Sequence, residues 1–118
     1  MMRDNDKQTT PLSPALFHIL MALAGHDLHG YAIMQEISRQ TEGEYVLGPG
    51  TLYDNLQKAI RRRWVADLGH RAGDDDPRRR YYRLTSLGTS VLSAEVSRLE
   101  NMVRDAKVRL RIPKPRRA

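Results

Sequence analysis

The chain has 118 residues, no cysteine and a formal net charge of +6 at pH 7. That length makes one small domain with a modest core. The missing thiols exclude disulfides, thiolate metal sites and cysteine nucleophiles, and they fit a reducing cytoplasm. The basic balance points to polyanionic partners. The lysines are only Lys7, Lys58, Lys107 and Lys114, so sixteen of the 20 basic residues are arginine, the side chain whose fork matches phosphate and guanine edges.

Residues 1–11 are polar and without periodicity, the pattern of a flexible N-terminal arm. The apolar run Leu12–Ala24 ends in Ala22-Leu23-Ala24, the shape of a signal-peptidase site, but Asp4 and Asp6 cancel Arg3 and Lys7 ahead of it and His18 interrupts it. It is also too short to cross a bilayer, and the expectation is a cytoplasmic protein. The run instead reads as a first helix. Ser13 stands at the N-cap, Pro14 at the first helical position, Leu12 staples against Phe17, and Gly25 closes it. The helix is apolar almost all round, so it needs cover on several sides, part of it from a second chain through Leu16 and Leu20.

His29-Gly30-Tyr31 opens a second helix to about Gln40, with Ile33 and Ile37 on its inner face. Gly48-Pro49-Gly50 then separates it from a third helix. There Leu52, Leu56 and Ile60 form an apolar stripe, and Thr51, Asn55, Lys58 and Arg62 form a polar row opposite. Asn pairs with adenine edges, so Thr51, Asn55 and Lys58 are the candidate base readers, with Arg62 a candidate phosphate contact. Three helices with short joints are the order of a helix-turn-helix.

Trp64–Leu68 and Arg80–Leu84 read as two strands around the polar loop GHRAGDDDPRRR, a hairpin or wing. Between residues 58 and 83 nine basic residues (58, 61, 62, 63, 71, 78, 79, 80, 83) face four acidic ones (67, 74, 75, 76), which concentrates the excess charge beside the third helix. Arg78, Arg79 and Arg80 are the candidate wing contacts to DNA; the plain reading is a solvated loop whose opposite charges pair with one another. Thr85 caps a last helix from Ser86 to about Leu110. Its Leu92, Val96, Leu99, Val103, Ala106 and Leu110 recur at alternating spacings of four and three, a heptad seam for dimerisation along a helix of about 37 Å. The domain boundaries expected are 12–85 for the winged helix-turn-helix, 86–111 for the dimerisation helix and 112–118 for a basic disordered tail.

No nucleophile elbow, glycine-rich phosphate cradle or paired buried carboxylate occurs, so no enzyme and no cofactor are expected. His26 and His29 have HxxH spacing without a third ligand nearby and read as loop histidines rather than a metal site.

HGYAI at 29–33, GPGTLY at 48–53 and RRRYYRLTSLG at 78–88 resemble, in this order and spacing, motifs of the PadR family of winged-helix transcriptional regulators. The resemblance spans about residues 14–110. It implies an α+β fold, mainly α with a small β-hairpin, in the order helix–helix–helix–strand–strand–helix. It also implies a homodimer built by the last helix with help from the first, and repression at inverted repeats in double-stranded DNA. Carried over by position, Thr51 and Tyr53 fall on the recognition helix, Tyr31 on the phosphate-facing start of the second helix, and Arg78–Arg80 on the wing. Two departures stand out: Arg61–Arg63 replaces an acidic stretch and a glycine, and Asp54 stands where proline is common. A small-molecule effector, if the chain has one, is expected in the apolar cleft between the first and last helices, and the few aromatics argue against planar drugs. The rival reading is a winged-helix dimer that serves as a protein-interaction module without DNA; it leaves the arginine concentration without a role.

Overall fold

The first helix, α1 (Pro14–Leu23), begins as its residues dictate: Ser13 Oγ accepts from the Leu16 amide at 3.2 Å and Pro14 takes the first turn. The computed structural model describes residues 11–111, so the arm (but for residue 11) and the tail expected at 112–118 lie outside the described residues. A two-residue strand β1 (Leu28–His29) leads into α2 (Gly30–Gln40), followed by α3 (Pro49–Arg61), β2 (Val65–Gly69), β3 (Tyr81–Leu84) and α4 (Ser86–Arg109). The architecture is α+β, a winged helix-turn-helix.

The strand β1 is an addition to the expected hairpin. It pairs antiparallel with β3 (Leu28 opposite Tyr82, His29 opposite Tyr81), which gives the sheet order β1-β3-β2. Two residues carry no alternation, so no periodicity announces them.

Helix α1 is the centre of the molecule, packed on α2, α3, α4 and β3. Ile19, Leu20 and Leu23 are sealed among Ile33, Ile37, Leu52, Leu56 and Val91. The expectation that Leu16 and Leu20 await a second chain is therefore corrected: the chain's own elements cover both, Leu20 completely. What α1 leaves half-buried is Phe17 and Met21, toward α4.

Two glycines are dictated by close approach. A Cβ on Gly30 would collide with the Tyr53 hydroxyl, and one on Gly88 with the Trp64 carbonyl oxygen. Thr85 completes the second junction. Its Oγ1 caps α4 by accepting from the Gly88 amide at 2.9 Å and donates to the Arg63 carbonyl at 2.6 Å.

The turn after α3 keeps its geometry without a glycine. The Trp64 amide donates to Ala59 O at 2.9 Å and the Arg63 amide to Ile60 O at 3.0 Å, the paired bonds of a Schellman motif. Arg63 sits at φ 64°, left-handed space that costs a side chain about 1–2 kcal/mol.

Along α4 only the first turns are docked. Val91, Leu92 and Glu95 are buried, and every residue from Glu100 to Leu110 is exposed. Leu92, expected in the dimer seam, belongs instead to the domain's own core. Glu95, 2% exposed, accepts from the Leu12 amide at 3.0 Å and from Arg98 at 2.7 and 2.8 Å. Arg98 holds its carboxyl below the ordinary glutamate value despite the burial. Among the described residues no helix is long and apolar enough to cross a membrane.

Candidate nucleic-acid interface

The start of α2, one face of α3 and the wing meet around a cleft of about 570 Å³. His29 fixes its floor. The imidazole Nδ1 accepts from the Ala32 amide at 3.2 Å and so caps α2 in its neutral form. Burial, and then the Arg79 charge, push the imidazole below its ordinary pKa. Gly30 leaves room for Tyr53 to lie against the α2 terminus, and Tyr31 and Tyr53 both stay exposed at the rim. Helix N-termini and exposed hydroxyls are standard partners of phosphate oxygens.

On α3 the outward residues are Thr51, Tyr53, Asp54, Gln57, Lys58 and Arg61. Asn55 is not among them. It is 9% exposed and its Nδ2 donates to Thr51 O at 2.8 Å, within its own helix. The reason is helical phase. The buried stripe runs through Leu52, Leu56 and Ala59 rather than Leu52, Leu56 and Ile60, and Asn55 lies three residues from Leu52 and four from Ala59. Ala59 is small and easily passed over, although it is completely buried while Ile60 is only half-buried. Gln57 and Arg61 were missed for the same reason; the spacing 54-58-61 marks the true outer face. Asp54 places one anion on it.

Among the described residues Lys58, Arg61 and Arg63 have no carboxylate partner. Arg62 lies over the Trp64 ring at 5.2 Å, beside the residues that lead into α1.

The wing differs. Arg78 pairs with Asp76 at 3.3 Å, Arg79 with Asp74 at 3.3 Å and Arg80 with Asp67 at 3.0 Å. Behind it, Arg83 and Arg71 share Asp27 at 2.7 and 3.3 Å, which ties β3 to the loop before β1. Arg83 holds the Asp27 carboxyl below its ordinary value. Arg78–Arg80 thus line the cleft, but each is already on an internal carboxylate, the pairing that the plain reading of the loop expected.

A second concavity, about 590 Å³, runs along α1 and α4 between Phe17, Met21, Val96, Leu99 and Val103, with Arg104 and Lys107 at its edge.

The family model described as the transcriptional regulator PadR-like family matches residues 19–94. A transcriptional regulator of Mycobacterium tuberculosis, Rv3488, is 34% identical over 91 residues, 75% of this chain and 78% of that one. An uncharacterised protein of Lysinibacillus sphaericus is 36% identical over 75 residues, 64% of this chain and 68% of that one. A PadR family transcription regulator from Clostridium difficile shares the fold, with a TM-score of 0.65, 22% identity and coverage of 83% of this chain and 98% of that one. The family model, the mycobacterial relative and the clostridial structure are all described as transcriptional regulators. With the capped HGY turn, the Gly30–Tyr53 contact and the Thr85–Gly88 junction, they lead to one conclusion: the chain belongs to the PadR-like family of transcriptional regulators.

Proposed function

We propose that the chain is a cytoplasmic, homodimeric repressor that binds an inverted repeat in duplex DNA, one α3 per major groove. The observation that carries this reading is the outer face of α3, where Lys58 and Arg61 are exposed and, among the described residues, without a carboxylate partner, on the helix that also presents Tyr53 to the cleft. Thr51, Gln57, Lys58 and Arg61 are the base-reading set. Tyr31, Tyr53 and Arg62 contact phosphates, and Arg78–Arg80 approach the flanking backbone.

The dimer is joined along α4. Val96, Val103 and Leu110, at 38%, 52% and 70% exposure, with Leu99 and Ala106, leave an apolar seam that runs along α4 beyond its docked first turns, and among the described residues every side chain from Glu100 onward is exposed. The same groove, apolar with Arg104 and Lys107 at its edge, is the candidate seat of any small-molecule effector. The half-sites lie about 10 bp apart, centre to centre, or at a multiple of that spacing.

The deciding measurement is fluorescence anisotropy with two duplexes, one from the DNA upstream of the chain's own coding sequence and one of random sequence, beside light scattering on the free protein. Tighter binding of the upstream duplex by a dimer is expected. Equal affinity for the two, or a monomer at micromolar concentration, overturns the corresponding half of the reading.

A further inference from the structure

The wing's arginines are matched one for one by carboxylates, and the match is built in. Asp74 sits in the loop between β2 and β3, yet its side chain is only 4% exposed. Its Oδ1 accepts from the Asp76 amide at 3.0 Å and from Arg79 Nη1 at 3.3 Å; its Oδ2 accepts from the Tyr81 hydroxyl. Tyr81 is itself held in place, with Arg71 over its ring at 4.3 Å and His29 edge-on at 5.4 Å. Arg80 Nε lies between both oxygens of Asp67, at 3.0 and 3.2 Å. Arg78 folds back on Asp76, whose Oδ1 also accepts the Arg78 amide at 2.9 Å.

An arginine without a partner is drawn to any phosphate, whatever the sequence beneath it. An arginine on a carboxylate has much of its charge already answered, so a phosphate gains there only in exchange against the aspartate beside it. That exchange is favourable only where the DNA backbone brings a phosphate within reach of the guanidinium, and such a position is reached only when α3 is seated in its groove. Asp74 and Asp76 are both held below their ordinary pKa, Asp74 first by the Tyr81 hydroxyl and Asp76 first by the Arg78 amide. They are ionised at neutral pH, so the exchange is of anions and not of protons.

We propose that Asp74, with Asp67 and Asp76, is a specificity determinant of DNA binding: it holds the wing's arginines on internal carboxylates, so that the wing adds affinity at the operator and little elsewhere. The inference rests on the DNA-binding reading above and assigns Asp74 a positioning role, since it acts through Arg79.

The test uses the full chain, a random-sequence duplex and the duplex upstream of its own coding sequence, titrated between about 50 and 200 mM salt. Asp74→Asn keeps one acceptor oxygen for the Asp76 amide and presents an N–H that the Tyr81 hydroxyl can accept from, but removes the charge. It is expected to tighten the random duplex about fivefold to tenfold and to steepen its salt dependence by about one unit. The upstream duplex gains less, so the ratio between the two shrinks. Asp74→Asn with Arg79→Gln loses the gain. Asp67→Asn, which releases Arg80 from β2, moves the ratio the same way and decides the matter if the Asp74 variant fails to fold. An equal gain on both duplexes, no gain, or a gain that survives the loss of Arg79 overturns the inference alone. Wild-type protein bound to neither duplex at the lowest salt defeats the DNA-binding reading as well.

Discussion

Two runs of three arginines, 61–63 and 78–80, look alike in the sequence and stand in opposite electrostatic circumstances in the fold. The second run lies on the wing, each guanidinium on an aspartate of the same hairpin. The first closes α3. Arg61 and Arg63 have no carboxylate partner among the described residues, and Arg62 lies over Trp64. Charge counted along a chain therefore overstates the wing relative to the end of α3. The field that draws in a polyanion comes from the residues whose charge is not already answered.

The sharpest way to break this comparison is to neutralise each run. Lys58→Ala and Arg61→Ala on α3 should each cost about 1–3 kcal/mol of binding, while Arg78→Gln on the wing costs random duplex almost nothing. Equal losses from the two regions, read by anisotropy, would remove the distinction.

Pairing also differs in worth with depth. Glu95 is buried where Asp67 and Asp76 of the wing stay partly exposed, and its loss strands the Leu12 amide and Arg98 together. Glu95→Ala should lower stability by about 2–3 kcal/mol in urea titration, with little change for Asp76→Asn, since exposed pairs contribute little. The sign of its pH dependence follows. The folded carboxyl titrates below the unfolded one, so its contribution is complete above the unfolded value, near 4.5, and is lost as the pH falls through the folded one. Thermal melts of wild type should weaken below that point more steeply than those of Glu95→Gln.

Asn55 and Gln57 sharpen the picture of α3. Asn55→Ala removes a bond to Thr51 O and should cost about 1 kcal/mol of stability while the ratio of operator to random binding stays put. Gln57→Ala should do the reverse. A specificity loss confined to the Asn55 variant would return that residue to the outer face.

Arg63→Gly relieves a left-handed residue and should raise stability by about 0.5–1 kcal/mol, a few degrees in Tm, while it removes one cation from the end of α3. The smallest effect expected is at His29. Its folded pKa lies below the ordinary 6.5, so between those values the unfolded chain binds more protons and stability falls as the pH drops below about 6.5. His29→Asn retains a cap and should flatten that slope in thermal melts.

Much of this was legible beforehand because it is local. Ser13-Pro14, His29-Gly30 and Thr85 mark helix starts by their own chemistry, and Ile33, Ile37, Leu52 and Leu56 declare their inner faces by spacing. What escaped depends on contacts between distant residues. β1 exists only because β3 lies beside it, and Leu20 is covered because four elements close over α1. Glu95 looks like one more charge on a helix until Leu12, 83 residues away, donates to it. The phase of α3 turned on one alanine. The wing's aspartates and arginines were all visible, but which meets which is set by the hairpin register and its bulge between Asp67 and Gly69.

The short docking of α4 has a mechanical consequence. The helix is gripped through Val91, Leu92 and Glu95 and then runs unsupported from Glu100 to Arg109, an overhang of about 15 Å. It is a cantilever: a tilt of about 10° at the gripped end carries its tip through about 3 Å. The Glu95–Leu12 bond lies at the fulcrum, so Leu12, just ahead of α1, is tied to the base of the overhang. In the dimer proposed above, the partner's grip on the overhang sets an angle there, and with it the reach of α3.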